Sequence, residues 1–351
     1  MSAQPHVPKA DQAEAVAAKA AGPCPAGLRE RLFGSSSTIW IFLVLVALVV
    51  IFGALKPTEF LSSFNIKTIF INAAVALMLS VGMTYVIITA GIDLSVGSVL
   101  VISGVLAAKT MSAFGGESLG WWPILLGLLV GLASGLAWGM LNGALIAWLR
   151  IPPLIVTLGV FGIALGLADV ITAGVDLTGV PTKLGDTIGN GQIGPFPWLV
   201  VIAVVVTLVG GLILAYTRFG RYTYAIGSND EAARRAGIDV RLHLLKVYGL
   251  AGLLSGLAGD LSLAHFTTTT ISGHLEDNLT AISAVVIGGT SLFGGVGKMF
   301  GTVVGVFIPV VLAAGLVIMG VQSFWQQVVI GVILIVAVYF DQLRRSARNR
   351  S

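Results

Sequence analysis

The sequence predicts an all-α integral membrane protein with about ten transmembrane helices and both termini in the cytoplasm. Three observations carry this reading. Hydrophobic residues fill 56% of the 351 positions and charged residues only 10%, against roughly a quarter charged in an ordinary soluble domain. Apolar runs near the ~20 residues needed to cross a bilayer recur along the chain. Basic residues collect at alternate ends of those runs. A soluble fold cannot hide so much apolar surface. A bilayer offers the backbone no hydrogen bonds, so spans are helices or closed barrels. The hydrophobicity here is continuous rather than alternating, which excludes a barrel.

Residues 1–37 are polar, rich in Ala and Pro, and carry Lys9, Lys19, Arg29 and Arg31. They read as a disordered cytoplasmic tail. The first apolar run starts only near Thr38 and no small-residue cleavage site closes it, so a signal peptide is not expected. Cys24, the single cysteine, has no apolar run before it, which argues against a lipoprotein anchor. One cysteine also excludes a disulfide framework and any multi-cysteine metal site.

The candidate spans are residues 38–55, 67–90, 92–110, 122–148, 152–173, 197–216, 244–264, 278–296, 299–320 and 322–340. A membrane domain is therefore expected over 38–340, with a cytoplasmic loop over 217–243 and a basic cytoplasmic tail over 341–351. With the N-terminus inside, the inner segments hold the four tail residues, Arg150, the loop set Arg218, Arg221, Arg234, Arg235, Arg241 and Lys246, then Lys298, and finally Arg344, Arg345, Arg348 and Arg350. The outer segments hold only Lys56, Lys67, Lys109 and Lys183. This is a strong positive-inside bias, and an even number of spans keeps both basic tails inside. The basic residues form no aromatic-interleaved patch, so nucleic-acid binding is excluded.

Glycine is abundant, 45 residues, with no collagen period. Gly127, Gly131, Gly135, Gly139 and Gly143 recur every four residues, a ridge that lets a neighbouring helix approach closely. Gly162/Gly166, Gly252/Gly256 and Gly301/Gly305 repeat the spacing.

Three segments are more than hydrophobic filler. Ala90–Ser98, AGIDLSVGS, sets Asp93 beside the hydrocarbon, where a charge is costly and usually faces a cavity or water-filled path. Asp93 also suits a helix N-cap, with Ser95 and Ser98 nearby and glycines permitting a break. A structural cap and a broken element on a solute route are both open, and compatible.

Gly227–Asp239, GSNDEAARRAGID, has a capping box at Ser228 and Glu231. Asp230 and Glu231 come early and Arg234 and Arg235 late, as the helix dipole favours. Gly237 follows as a stop. A short cytoplasmic helix results, either a solvated loop helix or a docking helix whose Ala232, Ala233 and Ala236 fit a groove.

Val286–Thr302 holds six glycines but is no phosphate cradle. Met299 follows Gly297-Lys298 where Ser or Thr is needed, and Leu292 stands where the first glycine belongs. It reads as a tight cytoplasmic turn between close-packed helices.

Other polar residues are weaker candidates. His265, His274, Glu276 and Asp277 fall in one outer loop, but their spacing matches no metal motif. They read as solvated, or as contacts for an external protein, and no metal is expected. Asn72, Ser80, Thr84, Asn142, Thr157 and Asp169 could bond a hydroxylated solute or a neighbouring helix. Trp121, Trp122, Trp198 and Trp325 read as interface anchors.

Taken together, GMTYVIITAGIDLSVGSV, GSNDEAARRAGI and AVVIGGTSLFGGVGKMFGT resemble, in order and spacing, the ribose-type permeases of bacterial sugar ABC importers. The resemblance covers about residues 38–340 and leaves out the N-terminal tail. It implies the transmembrane permease subunit of an importer for a monosaccharide, such as ribose or xylose, or a polyol, in the bacterial inner membrane. It implies a second permease subunit, expected to be an identical copy, a cytoplasmic ABC ATPase, and a periplasmic or lipid-anchored sugar-binding protein. Asn229 to Ile238, with Ser228, would be the ATPase contact. Ile92 to Ser98 would lie close to the translocation path, to which Asn72 and Thr84 are added. Sugar selectivity would rest mainly with the binding protein. No cofactor is expected on this chain; ATP-Mg belongs to the partner ATPase.

The residues themselves agree in one respect. The chain has no P-loop, no paired intramembrane carboxylates and no arginine row, so a transporter of this kind needs an external energy source. The alternative is an ion-coupled secondary transporter, for which Asp93, Asp169 and Asp260 are the available acids. An intramembrane enzyme lacks any nucleophile–base or metal constellation. A passive channel or scaffold stands third.

Overall fold

The structure, a computed structural model, describes residues 36–322 together with Trp325, Val328, Val329, Gly331, Val332, Ile335 and Tyr339. The tail over 1–35, Cys24 included, most of the run 322–340 and the basic tail over 341–351 lie outside the described residues. By compactness the chain divides into 1–40 and 41–351. Of the first part only residues 36–40 are described, as the opening of a helix. The rest of the architecture belongs to the second part.

The described part is almost wholly helical. In order come α1 (Ser36–Leu55), α2 (Pro57–Phe60), α3 (Ser63–Ile88), α4 (Val96–Ala113), α5 (Trp122–Leu149), α6 (Pro153–Thr172) and α7 (Thr182–Leu184). Then come α8 (Trp198–Tyr216), α9 (Arg218–Ser228), α10 (Asp230–Arg235), α11 (Val240–Phe266), α12 (Asp277–Ile287) and α13 (Met299–Ile318). The only strands among the described residues, β1 (Gln192–Ile193) and β2 (Phe196–Pro197), form a small antiparallel hairpin. Ser36 and Ser37, assigned to the tail on sequence, already belong to α1.

Among the described residues, seven helices are long and apolar enough to cross a membrane: α3, α4, α5, α6, α8, α11 and α13. Helix α1 is apolar along Ile39–Leu55. Two expected runs are not continuous helices. The third begins not near residue 92 but at Val96, because residues 89–95 are non-helical, with Ala90 at φ 62°. The eighth, 278–296, is helical only to Ile287, after which Gly289 takes φ 88° and an open loop reaches Lys298. Eleven residues rise about 16 Å, roughly half the hydrocarbon thickness. The tight turn expected there is instead this longer loop.

Helices α3, α4 and α11 are mostly buried, while α5, α6 and α8 present most of their surface outward. Helix α5 lies against α11 with almost no separation. A Cβ on Gly135 would strike the Gly252 carbonyl, and one on Gly143 would stand 2.8 Å from the Leu245 Cα. Gly139 meets Tyr248 and Gly252, Gly131 meets Asp260, and Gly127 instead meets Met111 and Ala107 of α4. Gly301 and Gly305 abut Gly288 and Ala284, joining α13 to α12. Gly162 and Gly166 do not follow this pattern and face open space. Helix α6 buries Val156, Val160, Ala164 and Ala168 instead.

The segment between α6 and α8 is stitched to the α11–α12 connection. Asp176 Oδ1 accepts from the Ile271 amide at 2.9 Å, and Thr269 Oγ1 accepts from the Leu177 amide at 2.7 Å. Within that connection His274 is buried, its ring nitrogens 2.7 Å from Ser262 Oγ and 2.7 Å from Asp277 Oδ2. It is therefore not the solvated loop residue expected on sequence. His265 lies in the last turn of α11 rather than in a loop.

Candidate functional site

The interruption between α3 and α4 is built around Asp93. Its Oδ1 accepts from the Ser95 amide at 2.8 Å and the Ser95 hydroxyl at 2.6 Å. The carboxylate thus closes a turn just ahead of the helix. The residue flanking α4 is Ser95, not Asp93, and its side chain makes no capping bond. Ser98 Oγ donates to the Ser95 carbonyl at 2.9 Å. These donors offset part of the cost of burying the carboxyl group.

Three other helices hold this extended segment. Asn142 of α5 donates to Ser95 Oγ at 2.8 Å. Asn278 of α12 donates to the Leu94 carbonyl at 3.0 Å. Thr157 Oγ1 of α6 lies 3.2 Å from the Ile92 carbonyl and 2.9 Å from that of Pro153. Asp93, Ser95 and Ser98 are each 1% exposed. Thr84 is fully buried too, 2.8 Å from Thr302 Oγ1 on α13. Of the five residues assigned on sequence to a solute path, only Asn72 is exposed, on a different face of α3.

Helix α10 follows α9 and packs against α9 and α11. Asn229, extended between α9 and α10, accepts from the Ala232 amide at 2.9 Å and is the N-cap. The capping box at Ser228 and Glu231 does not form. Ser228 ends α9, and Glu231 pairs with Arg235 while Asp230 pairs with Arg234 at 3.5 Å. Asn and Ser cap equally well, and the extra helix α9 shifts the cap by one residue. At the far end Gly237 takes φ 83°, its amide donates to Arg234 and that of Ile238 donates to Ala233. This is a Schellman stop. Ala233 is buried against Ile226 and Val240. Asn229, Asp230, Glu231, Ala232, Arg234, Arg235, Ala236 and Gly237 are exposed.

Three motifs far apart in sequence meet behind α10. The Gly295 amide donates to the Ile88 carbonyl at 2.9 Å. A Cβ on Gly294 would stand 2.7 Å from the Gly227 carbonyl and 2.8 Å from the Ala90 Cβ. One on Gly295 would stand 2.7 Å from Ser228 Oγ. Tyr224 of α9 donates to the Gly297 carbonyl at 2.8 Å. Burial pushes the Tyr224 phenol up from its ordinary pKa, which keeps that proton in place. Thr223 Oγ1 lies 2.9 Å from His243 Nε2, tying α9 to α11. Tyr224 and Asn278 were not singled out on sequence. Asn278 carries the same signal as Asn142, an amide inside an apolar run; Tyr224 carries none.

Chemically the arrangement is an exposed, well-capped helix joined through glycine contacts to a hydrogen-bonded break among the spans. No group of three or more His, Cys, Asp or Glu that could hold a metal occurs among the described residues.

The family described as branched-chain amino acid transport system / permease component matches residues 65–338. The chain is 40% identical over 302 residues to the ribose import permease protein of Bacillus subtilis (strain 168), covering 86% of this chain and 91% of that protein. It is 36% identical over 302 residues to the D-allose transport system permease protein of Escherichia coli (strain K12), covering 86% and 90%. It is 34% identical over 307 residues to the fructose import permease protein of Rhizobium meliloti, covering 86% and 84%. No solved structure gives a significant match.

Proposed function

The chain belongs to the branched-chain amino acid transport system / permease component family, and from that membership we propose that it is the membrane-spanning subunit of an ATP-driven ABC importer for a monosaccharide. The relatives named for ribose, allose and fructose import support that substrate class. ATP hydrolysis falls to a separate cytoplasmic subunit, and a periplasmic or lipid-anchored binding protein presents the sugar. The working permease is a pair, expected to be two copies of this chain, in the bacterial inner membrane.

The topology is ten passes with both termini cytoplasmic, the inward-folded α11–α12 connection and α12 forming the eighth. The sorting of basic residues supports this. So does the meeting of outer segments at one end, where Lys67 reaches Gln192 Oε1 at 3.4 Å and Lys183 sits 5.0 Å over the Trp121 ring.

The observation that carries the coupling mechanism is the contact of α9 with both interruptions. The segment from Asn229 to Ile238, with α10 at its centre, receives the ATPase on its exposed face. Movement of the α9–α10 unit bears on Ile88 and Gly295, and so on the Asp93 segment at the start of α4. Alternating access results as the spans rock about that segment. The test is purification of the tagged chain in mild detergent with its neighbours. A co-purifying P-loop ATPase whose activity rises with binding protein and sugar supports the reading. A chain that purifies alone and moves solute without ATP overturns it.

One observation favours the ion-coupled alternative. Asp260 of α11 is buried against the glycine ridge, and neither carboxylate oxygen has a hydrogen-bond partner.

A further inference from the structure

Between α3 and α13 lies a groove of about 680 Å³, within the ~300–1,000 Å³ range of small-molecule sites. One wall is polar: Ser62, Asn65, Thr68 and Asn72 on the α3 side, with Thr280 of α12. Positions 65, 68 and 72 follow the helical repeat and share one face. The opposite wall, on α13, is Pro309, Val310, Ala313, Ala314 and Val317.

The polar wall is not used up internally. Asn65 donates through Nδ2 to the Phe60 carbonyl and Thr68 donates to the Phe64 carbonyl, which leaves their oxygens to accept. No side-chain hydrogen bond involves Asn72 or Thr280 among the described residues, and Asn72 is exposed. On a membrane span an amide turned toward lipid tails is costly. Asn72 and Thr280 need water, a polar solute or a polar group of another helix as partner. Phe64, 79% exposed, stands at the rim of the groove. Two unlike walls also match a sugar ring, whose hydroxyl edge needs donors and acceptors and whose C–H face needs apolar surface.

We propose that this groove, polar along Asn65, Thr68, Asn72 and Thr280 and apolar along α13, is a binding surface for a monosaccharide crossing the outer half of the membrane. This rests on the importer reading and its orientation. The residues on it contact sugar in transit.

The test uses the complete importer in proteoliposomes, with Cys24→Ser as background and single cysteines Asn72→Cys, Thr280→Cys and, as a lipid-facing control, Val170→Cys on α6. The probe is an anionic, membrane-impermeant methanethiosulfonate added from the binding-protein side. Uptake is read with D-ribose, D-allose, D-fructose and D-galactose in turn. The expected result is labelling at positions 72 and 280 but not 170, slowed by the transported sugar, with labelled transporters losing about tenfold in uptake. No labelling at 72 and 280 overturns the proposal, because lipid or a second copy then fills the groove. Labelling with uptake unchanged overturns it equally. If the unmodified complex takes up none of the four sugars with ATP, the importer reading fails, while the labelling still decides whether the groove is wet.

Discussion

The Gly295 amide donates to the Ile88 carbonyl at 2.9 Å, joining the loop after α12 to the end of α3. Each residue sits at the edge of an interrupted run. Gly295 takes φ 73° and a Cβ there would meet Ser228 Oγ at 2.7 Å. An L residue in that conformation costs roughly 1–2 kcal/mol. Gly295→Ala is therefore expected to destabilise the chain by about that amount and to loosen α9 from α3. Thermal unfolding in detergent reads the first effect, and uptake per ATP hydrolysed reads the second. Unchanged coupling in a destabilised protein would remove this contact from the transmission route.

Ala233 and Ala236 separate docking from folding. Ala233 is buried between Ile226 and Val240, so Ala233→Trp overfills a small cluster, at a cost of roughly 1–3 kcal/mol. Ala236 is exposed at the end of α10. Ala236→Trp is expected to leave the melting temperature unchanged and to abolish co-purification of the ATPase. Retention of the ATPase by Ala236→Trp would move the docking surface away from α10.

Asn229 caps α10 through one bond to the Ala232 amide. Losing such a cap costs about 0.5–2 kcal/mol, and a helix of six residues has little else to hold it. Asn229→Ala should raise hydrogen exchange at Ala233 and Ala236, with exchange in α11 untouched. Equal exchange in both variants would mean that the Schellman stop at Gly237 holds the helix alone.

What was legible in the sequence depends on the kind of signal each element sends. The stop at Gly237 and the charge order of α10 are local and could be read. So could the long apolar helices, since hydropathy reports burial in lipid directly. The break at 89–95 could only be suspected, because Ile92 and Leu94 continue the apolar pattern and hydropathy is blind to backbone conformation. Leu292, Phe293 and Val296 likewise disguised a loop as the second half of a span. The cap at Asn229 was displaced by one residue because α9, rich in charge and glycine, was not recognised as a helix. His274 was misread for a different reason: its partners Ser262 and Asp277 come together only when the α11–α12 connection folds inward.

The Asp93 turn predicts a stability effect that reaches several helices. Ser95 Oγ donates to Asp93 and accepts from Asn142. Ser95→Ala keeps the backbone donor to Asp93 but leaves the Asn142 amide short of a partner, a loss of roughly 1–3 kcal/mol. Ser95→Thr retains both bonds and should recover most of it. Melting of the two variants in one detergent checks this. If Ser95→Ala melts with the parent chain, the segment is held by Asn278, Thr157 and the Ser95 amide and not by the Ser95 hydroxyl.

Asp260 decides between the two energy sources. Its carboxylate lies between α11 and the glycine ridge of α5, with no hydrogen-bond partner for either oxygen. If uptake were driven by an ion gradient, this group is the one placed to bind and release the ion. Asp260→Asn keeps shape and polarity while removing that capacity. Under the importer reading, uptake by Asp260→Asn stays ATP-dependent and within about twofold of the parent, because the group plays no part in transmission from α10. Under the alternative, uptake falls by roughly a hundredfold or more, and what remains no longer answers to a proton or sodium gradient. Measuring uptake in vesicles with ATP and the gradient varied independently separates the two outcomes. Collapse of uptake with a normal melting temperature would transfer the energy source from the partner subunit to this chain.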